Sequence, residues 1–258
     1  MILRVLRVFC VHLWLPPEAG EIFFNTESRN AQSYTELLTL GMSINREQYE
    51  QLKQELQATH TSLVAVSKTK PNEDIQALYD LGQRDFGENY VQELADKQPA
   101  LPNDISWHFI GHLQSNKVKY IAPFVHLIHG VDSLKLLKEI NKQGQRCDRT
   151  IECLLQVHIA DEETKFGMDD RELREALEGA KDLNSVKVVG LMGMASFTAN
   201  ELKVRAEFKT LKDLRDKMEA SHFHLPILSM GMSGDYKLAI EEGSSMVRIG
   251  SMLFGARS

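Results

Sequence analysis

From residue 62 onward, short apolar runs rich in β-branched residues alternate with longer amphipathic stretches. SLVAV (62–66), RDFGEN (84–89), SWHFIG (106–111) and HLIHGV (126–131) have the length and character of buried strands. So do IECLLQVHI (151–159), VKVVGLMGM (186–194), ILSMGM (227–232) and SMVRIG (245–250). The stretches between them read as helices. Pro71 can open the first and Gly82 can close it, and SLKLLKEINKQG also ends in glycine. After the sixth strand, Val204, Phe208, Leu211, Leu214 and Met218 recur at steps of three and four, a core-facing stripe. DYKLAIEEG separates the last two strands. Upstream, SINREQYEQLKQELQATH predicts a solvated helix with Tyr49, Leu52 and Leu56 on one face.

Strands alternating with helices imply βαβ units and a parallel sheet. Eight of them in about 190 residues is the count of a single (β/α)8 TIM barrel, with an open doubly wound sheet as the alternative. Neither a fixed-period repeat nor a low-complexity linker divides the chain, so residues 42–258 are expected to form one domain. Residues 1–41 do not share the pattern. MILRVLRVFCVHLWL is interrupted by Arg7 and His12 and leads into Pro16-Pro17 without a small-residue cleavage site, which argues against a signal peptide. An amphipathic membrane anchor is the other reading weighed. The expectation is a weakly ordered extension, with Met42 as the true start.

Composition narrows the function. The chain has 258 residues, 43% hydrophobic and 26% charged, with a net charge of -6 and scattered Lys and Arg. That argues against a nucleic-acid surface and leaves room for a local anion site. Cys10, Cys147 and Cys153 form no CxxC pair and read as reduced thiols of a cytoplasmic protein. No apolar stretch reaches the length of a membrane span. HExxH, P-loop, GxSxG and complete GxGxxG motifs are missing, and His108 and His112 straddle a strand end, so no metal site is expected.

The site of such a barrel lies at the C-terminal ends of its strands. There the sequence places Lys68, Asn89, His108, His129, Asp132, His158, Met192, Ser229, Met232, Ser233, Arg248, Gly250 and Ser251. The turns MGMSGD and RIGSM follow strands seven and eight, where this fold frequently binds phosphate through backbone amides. Two ordinary glycine turns are the plainer reading. Lys68, just beyond an apolar strand in VAVSKTKP, is placed to be a desolvated Schiff-base amine, although most strand-end lysines are merely solvated. Lys70 competes locally but precedes Pro71. An imine-forming lysine facing a phosphate site suggests an aldehyde-bearing phosphate, for which pyridoxal 5′-phosphate is the obvious candidate.

VAVSKTKP, FGENYVQE, WHFIGHLQSNK, SMGMSGDYKLAI and GSSMVRIGSMLFGAR together resemble the pyridoxal phosphate homeostasis protein family, from about Leu63 to Arg257. The resemblance implies a barrel like the N-terminal domain of alanine racemase. It implies Lys68 as the cofactor-linked lysine and Arg248 as the residue facing the pyridine nitrogen. Gly250, Ser251 and Ser233 match the phosphate-holding turns, and Asn89 and His108 match positions near the cofactor. Met192 and Ser229, at the ends of strands six and seven, complete the expected cofactor-binding set. Thr164-Lys165-Phe166-Gly167 departs from the family pattern at Phe166, which leaves a role for Lys165 open.

A permanently charged Arg248 beside the pyridine nitrogen discourages its protonation and weakens the ring as an electron sink. Racemisation needs acid/base groups on both faces of the substrate carbon. Lys68 serves one face, and the partner domain that supplies the other in alanine racemase is not expected after Ser258. The expectation is therefore a protein of intracellular pyridoxal phosphate homeostasis. It would hold the cofactor as a reversible internal aldimine for buffering or for delivery to apoenzymes. An amino-acid racemase is the alternative. A Schiff-base aldolase would place its lysine at the end of strand six, where LMGM has none. A pure interaction module would leave Lys68 and the glycine turns without a role. Without the dimer-forming racemase domain, a monomer is expected.

Overall fold

The computed structural model describes residues 44–162 and 166–255. The expectations for residues 1–41, for Met42 as a start and for Lys165 fall outside the described residues. Eight strands, each parallel to its neighbours, close in sequence order: β1 (Ser62–Val66), β2 (Asp85–Glu88), β3 (Ser106–Phe109), β4 (Leu127–Val131), β5 (Ile151–Gln156), β6 (Val186–Met192), β7 (Ile227–Ser229) and β8 (Met246–Ile249). Pairing of β1 with β8, from Ser62 opposite Met246 to Ala65 opposite Ile249, closes the barrel and excludes the open sheet.

The helices are α1 (Arg46–Ala58), α2 (Asn72–Asp80), α3 (Val91–Lys97), α4 (Val118–Ile121), α5 (Leu134–Arg146), α6 (Asp170–Ala180), α7 (Glu201–Glu219), α8 (Tyr236–Glu241) and α9 (Ser251–Phe254). Local chemistry starts several of them. Asn45, Ser133 and Asn200 accept backbone N–H bonds at the N-termini of α1, α5 and α7, and Asp169 with Glu172 forms a capping box on α6. The expected faces are the buried ones. Tyr49, Leu52 and Leu56 of α1 are buried, as are Val204, Phe208, Leu211 and Met218 of α7. Leu214 is partly buried. Each such side chain stabilises the fold by roughly 1.5–3 kcal/mol.

Strand alternation sorts the apolar side chains into two sets. Ala65, Phe86, Trp107, Ile128, Leu155, Leu228 and Val247 join the helices in the larger core. Val64, Leu127, Leu154, Val189, Met192 and Met246, all from strands, form a separate cluster that fills the barrel. Three expected strands are overlong. IECLLQVHI ends as a strand at Gln156, VKVVGLMGM at Met192 and ILSMGM at Ser229. Past β6 and β7 the apolar character persists because Met194 and Met232 line the mouth rather than the sheet. No helix among the described residues is long and apolar enough to cross a membrane.

Candidate functional site

A cleft of about 510 Å³ opens at the C-terminal ends of the strands. Of the expected site residues, Lys68, Asn89, Ser233, Arg248, Gly250 and Ser251 line it. His108, Met192 and Ser229 do not. They are buried inside the barrel, where Met192 packs with the interior apolar cluster.

Lys68 is half-buried on a turn that is held from below. Ser67, fully buried, donates to Glu88 Oε1 at 2.6 Å, and its carbonyl accepts from Lys97 Nζ at 2.9 Å. Lys97 is itself buried between Glu88 and Glu93, at 2.8 and 2.6 Å. Thr69 sits at φ 62°, an unusual conformation for a β-branched residue, and its N–H donates to Glu93 Oε1 at 2.6 Å. The buried ion cluster therefore fixes the backbone on both sides of Lys68. Burial raises the Glu88 carboxyl above its usual range despite the opposing pull of Lys97. Lys70 reaches the same cleft, but its Nζ donates to the Phe254 carbonyl at 2.7 Å, which separates its task from that of Lys68.

Two turns, after β7 and β8, form a further part of the wall, the second beside β1. Gly231 adopts φ 95°, and a Cβ there would lie 2.6 Å from the Ala239 Cβ. The turn after it is drawn tight by the Met232 N–H donating to Asp235 Oδ1 at 2.6 Å. The Ser233 and Gly234 amides lie outside any helix or strand and make no backbone hydrogen bond among the described residues. At the end of β8, a Cβ on Gly250 would lie 3.0 Å from the Val66 carbonyl oxygen, a tight contact where β8 leaves the sheet close to β1. Amides in such turns suit an anion.

Arg248, on β8 beneath the cleft, is buried, and desolvation lowers its pKa to about 10 against the opposing field of Asp235. Its Nη1 donates to Ser229 Oγ at 2.6 Å and its Nη2 to the Gly193 carbonyl at 3.1 Å. Three of its five N–H donors remain beyond those two bonds. Ser229 also meets His129, whose ring meets His108, so two expected site residues lie behind Arg248 rather than on the cleft wall. Asp132 pairs with His112 at 3.2 Å, and His158 Nε2 bonds the Glu162 carbonyl at 3.0 Å.

Outside the expected set lies the loop after β6, where Met194, Ser196, Phe197 and Thr198 face the cleft. Ser196 is pinned by Glu207, which accepts its N–H and its hydroxyl, both at 2.6 Å. The available signal was the short hydroxyl-bearing stretch ASFT between a barrel strand and the Asn200 helix cap.

The model of the alanine racemase N-terminal domain family matches residues 44–258. The pyridoxal phosphate homeostasis protein of Aquifex aeolicus is 44% identical over 197 residues, covering 76% of this chain and 86% of the relative. That of Schizosaccharomyces pombe is 38% identical over 211 residues, covering 80% and 89%. Among solved structures, PipY of Synechococcus elongatus without PLP is 35% identical, covers 81% of this chain and 99% of its own, and has a TM-score of 0.77. The same protein with PLP bound matches over the same shares with a TM-score of 0.74. A Clostridium difficile alanine racemase, 14% identical, has a TM-score of 0.68 and is covered over 61% of its length, a likeness of fold alone.

Proposed function

The chain belongs to the pyridoxal phosphate homeostasis protein family, within the alanine racemase N-terminal domain group, and on that premise we propose that its barrel mouth binds pyridoxal 5′-phosphate. The observation that carries this reading is convergence. An amine on a rigid turn, a buried guanidinium and two glycine turns face one cleft. The cofactor supplies an aldehyde that condenses reversibly with a primary amine, releasing one water.

Lys68 provides that amine, and the Glu88–Lys97–Glu93 cluster keeps its turn in place. Ser233, Gly250 and Ser251 hold the phosphate with backbone amides and hydroxyls. Arg248 would offer its remaining donors to the ring nitrogen and disfavour its protonation, and Asn89 lines the cleft. Ser229 and His108 contribute through Arg248, and Met192 contributes as barrel packing.

Holding the cofactor, rather than turning over amino acids, is supported by the same residues. Arg248 is a poor partner for carbanion chemistry. Lys70, the other cleft amine, is committed to the Phe254 carbonyl. Buffering of free cofactor in the cytoplasm, or its delivery to apoenzymes, by a monomer completes the reading. The free thiols Cys147 and Cys153 fit a reducing compartment.

Gel filtration of the protein after incubation with pyridoxal phosphate tests the reading. It predicts about one retained cofactor per chain and far poorer retention of pyridoxal, which lacks the phosphate. Equal retention of both, or of neither, overturns it.

A further inference from the structure

A continuous chain of hydrogen bonds crosses the barrel interior beneath the cleft. Arg248 Nη1 donates to Ser229 Oγ at 2.6 Å, and Ser229 Oγ lies 3.2 Å from His129 Nδ1. His129 Nε2 lies 2.9 Å from His108 Nδ1, and His108 Nε2 lies 3.0 Å from Asp85 Oδ1. The four inner groups come from β2, β3, β4 and β7, and His108, His129 and Ser229 are buried. Asp85 begins β2, at the barrel end remote from the cleft, and its side chain is 40% exposed.

The carboxylate end, with both rings neutral, fixes the protons between the two ends. The Ser229 oxygen accepts from Arg248, and its own proton goes to His129 Nδ1, the order required once each ring donates toward Asp85. His129 then carries its proton on Nε2 and donates to His108 Nδ1. His108 in turn donates from Nε2 to the Asp85 carboxylate, which only accepts. Both rings must be neutral for this order to hold. Burial lowers both imidazoles below their ordinary value, with Asp85 opposing at His108 and with Arg248 adding to the lowering at His129. His126, whose ring centroid is 5.3 Å from that of His108, and Asp235, which faces Arg248, are the other titratable neighbours.

We propose that Ser229, His129, His108 and Asp85 are positioning residues for Arg248, forming a one-way relay that locks its guanidinium under the cleft and ties it to a carboxylate at the opposite end of the barrel. The consequence for cofactor release rests on the proposed binding of pyridoxal phosphate. The tautomer order does not. A guanidinium that loses Ser229 can swing away from the ring nitrogen, so the cofactor leaves faster while the bond to Lys68 still forms.

Two measurements on the full chain test this. Nitrogen-15 NMR of the unloaded protein reads the tautomers directly. His108 and His129 are both expected as neutral Nε2–H rings, and Asp85→Asn is expected to disturb His108. A proton on Nδ1 of either ring overturns the relay whatever the ligand.

The second follows release of pyridoxal phosphate from loaded Ser229→Ala, His129→Leu and the double variant, with Leu154→Val as a barrel-interior control. Each single variant is expected to release about tenfold faster. The double variant is expected to be no faster than the quicker single one, because each change breaks the same chain. The control is expected to lose thermal stability without changing release. Release unchanged in both single variants, or effects that multiply in the double, overturns the positioning role. A wild type that takes up no cofactor overturns the binding reading, and leaves the NMR result to judge the relay by itself.

Discussion

His129 on β4 and Ser229 on β7 meet across the middle of the barrel, Nδ1 to Oγ 3.2 Å, although their strands are not neighbours in the sheet. The contact spans the interior where a barrel of this size is ordinarily packed with apolar layers. Polar groups there must be fully satisfied to be tolerated, and the relay satisfies both rings at both nitrogens.

The buried imidazoles make stability depend on pH. Burial holds His129 well below the ordinary imidazole value, and His108 below it too, whereas the unfolded chain protonates near pH 6.5. Below that pH the unfolded state binds more protons than the folded one. Stability is therefore complete above about pH 6.5 and falls with pH below it, by up to about 1.4 kcal/mol per pH unit for each ring. Urea unfolding at pH 7, 6 and 5 checks this, and His129→Leu should flatten the slope. A variant with the wild-type slope would place the lost protons elsewhere.

The ion cluster under Lys68 gives a second prediction. Lys97→Met leaves the fully buried Glu88 without its cation and should cost about 3–5 kcal/mol at neutral pH. Burial already raises the Glu88 carboxyl. In the variant its neutral form is favoured, so the deficit should shrink as pH falls and Glu88 takes up a proton. Denaturant melts of both proteins across pH 5 to 8 would show the gap closing. A constant gap would mean that the loss is one of packing rather than charge.

Gly231 supplies a third. Its φ of 95° and the 2.6 Å approach of Ala239 leave no room for a methyl group. Gly231→Ala should cost about 1–3 kcal/mol from backbone strain alone. It should also weaken retention of pyridoxal phosphate, since the turn carrying Ser233 must shift. A stable variant with unaltered retention would remove this turn from the phosphate site.

The eight strands were legible because each pairs a short apolar run with an amphipathic helix, and the Val204–Met218 stripe shows the same regularity. Strand ends were less legible. Met194 and Met232 extend the apolar runs into loops because they line a cleft, and periodicity cannot distinguish that from sheet. Lys68, Arg248 and the two glycine turns were legible from their positions at strand ends. The relay was not. His108, His129 and Ser229 lie far apart in sequence, and only barrel closure brings β4 opposite β7. The anchor of Lys68 through Lys97 was equally hidden, because a lysine in a short helix ordinarily reads as solvated.

Central to the proposed function is Lys68 as the amine that takes up the cofactor. The visible spectrum of wild type and Lys68→Ala, loaded with pyridoxal phosphate and freed of unbound cofactor by gel filtration, before and after borohydride, tests it. The expected result is a yellow band in the wild type that borohydride bleaches, a reduced adduct located on Lys68 by peptide mass, and no such band in the variant. A colourless wild type, or a band and adduct that persist in Lys68→Ala, would contradict it.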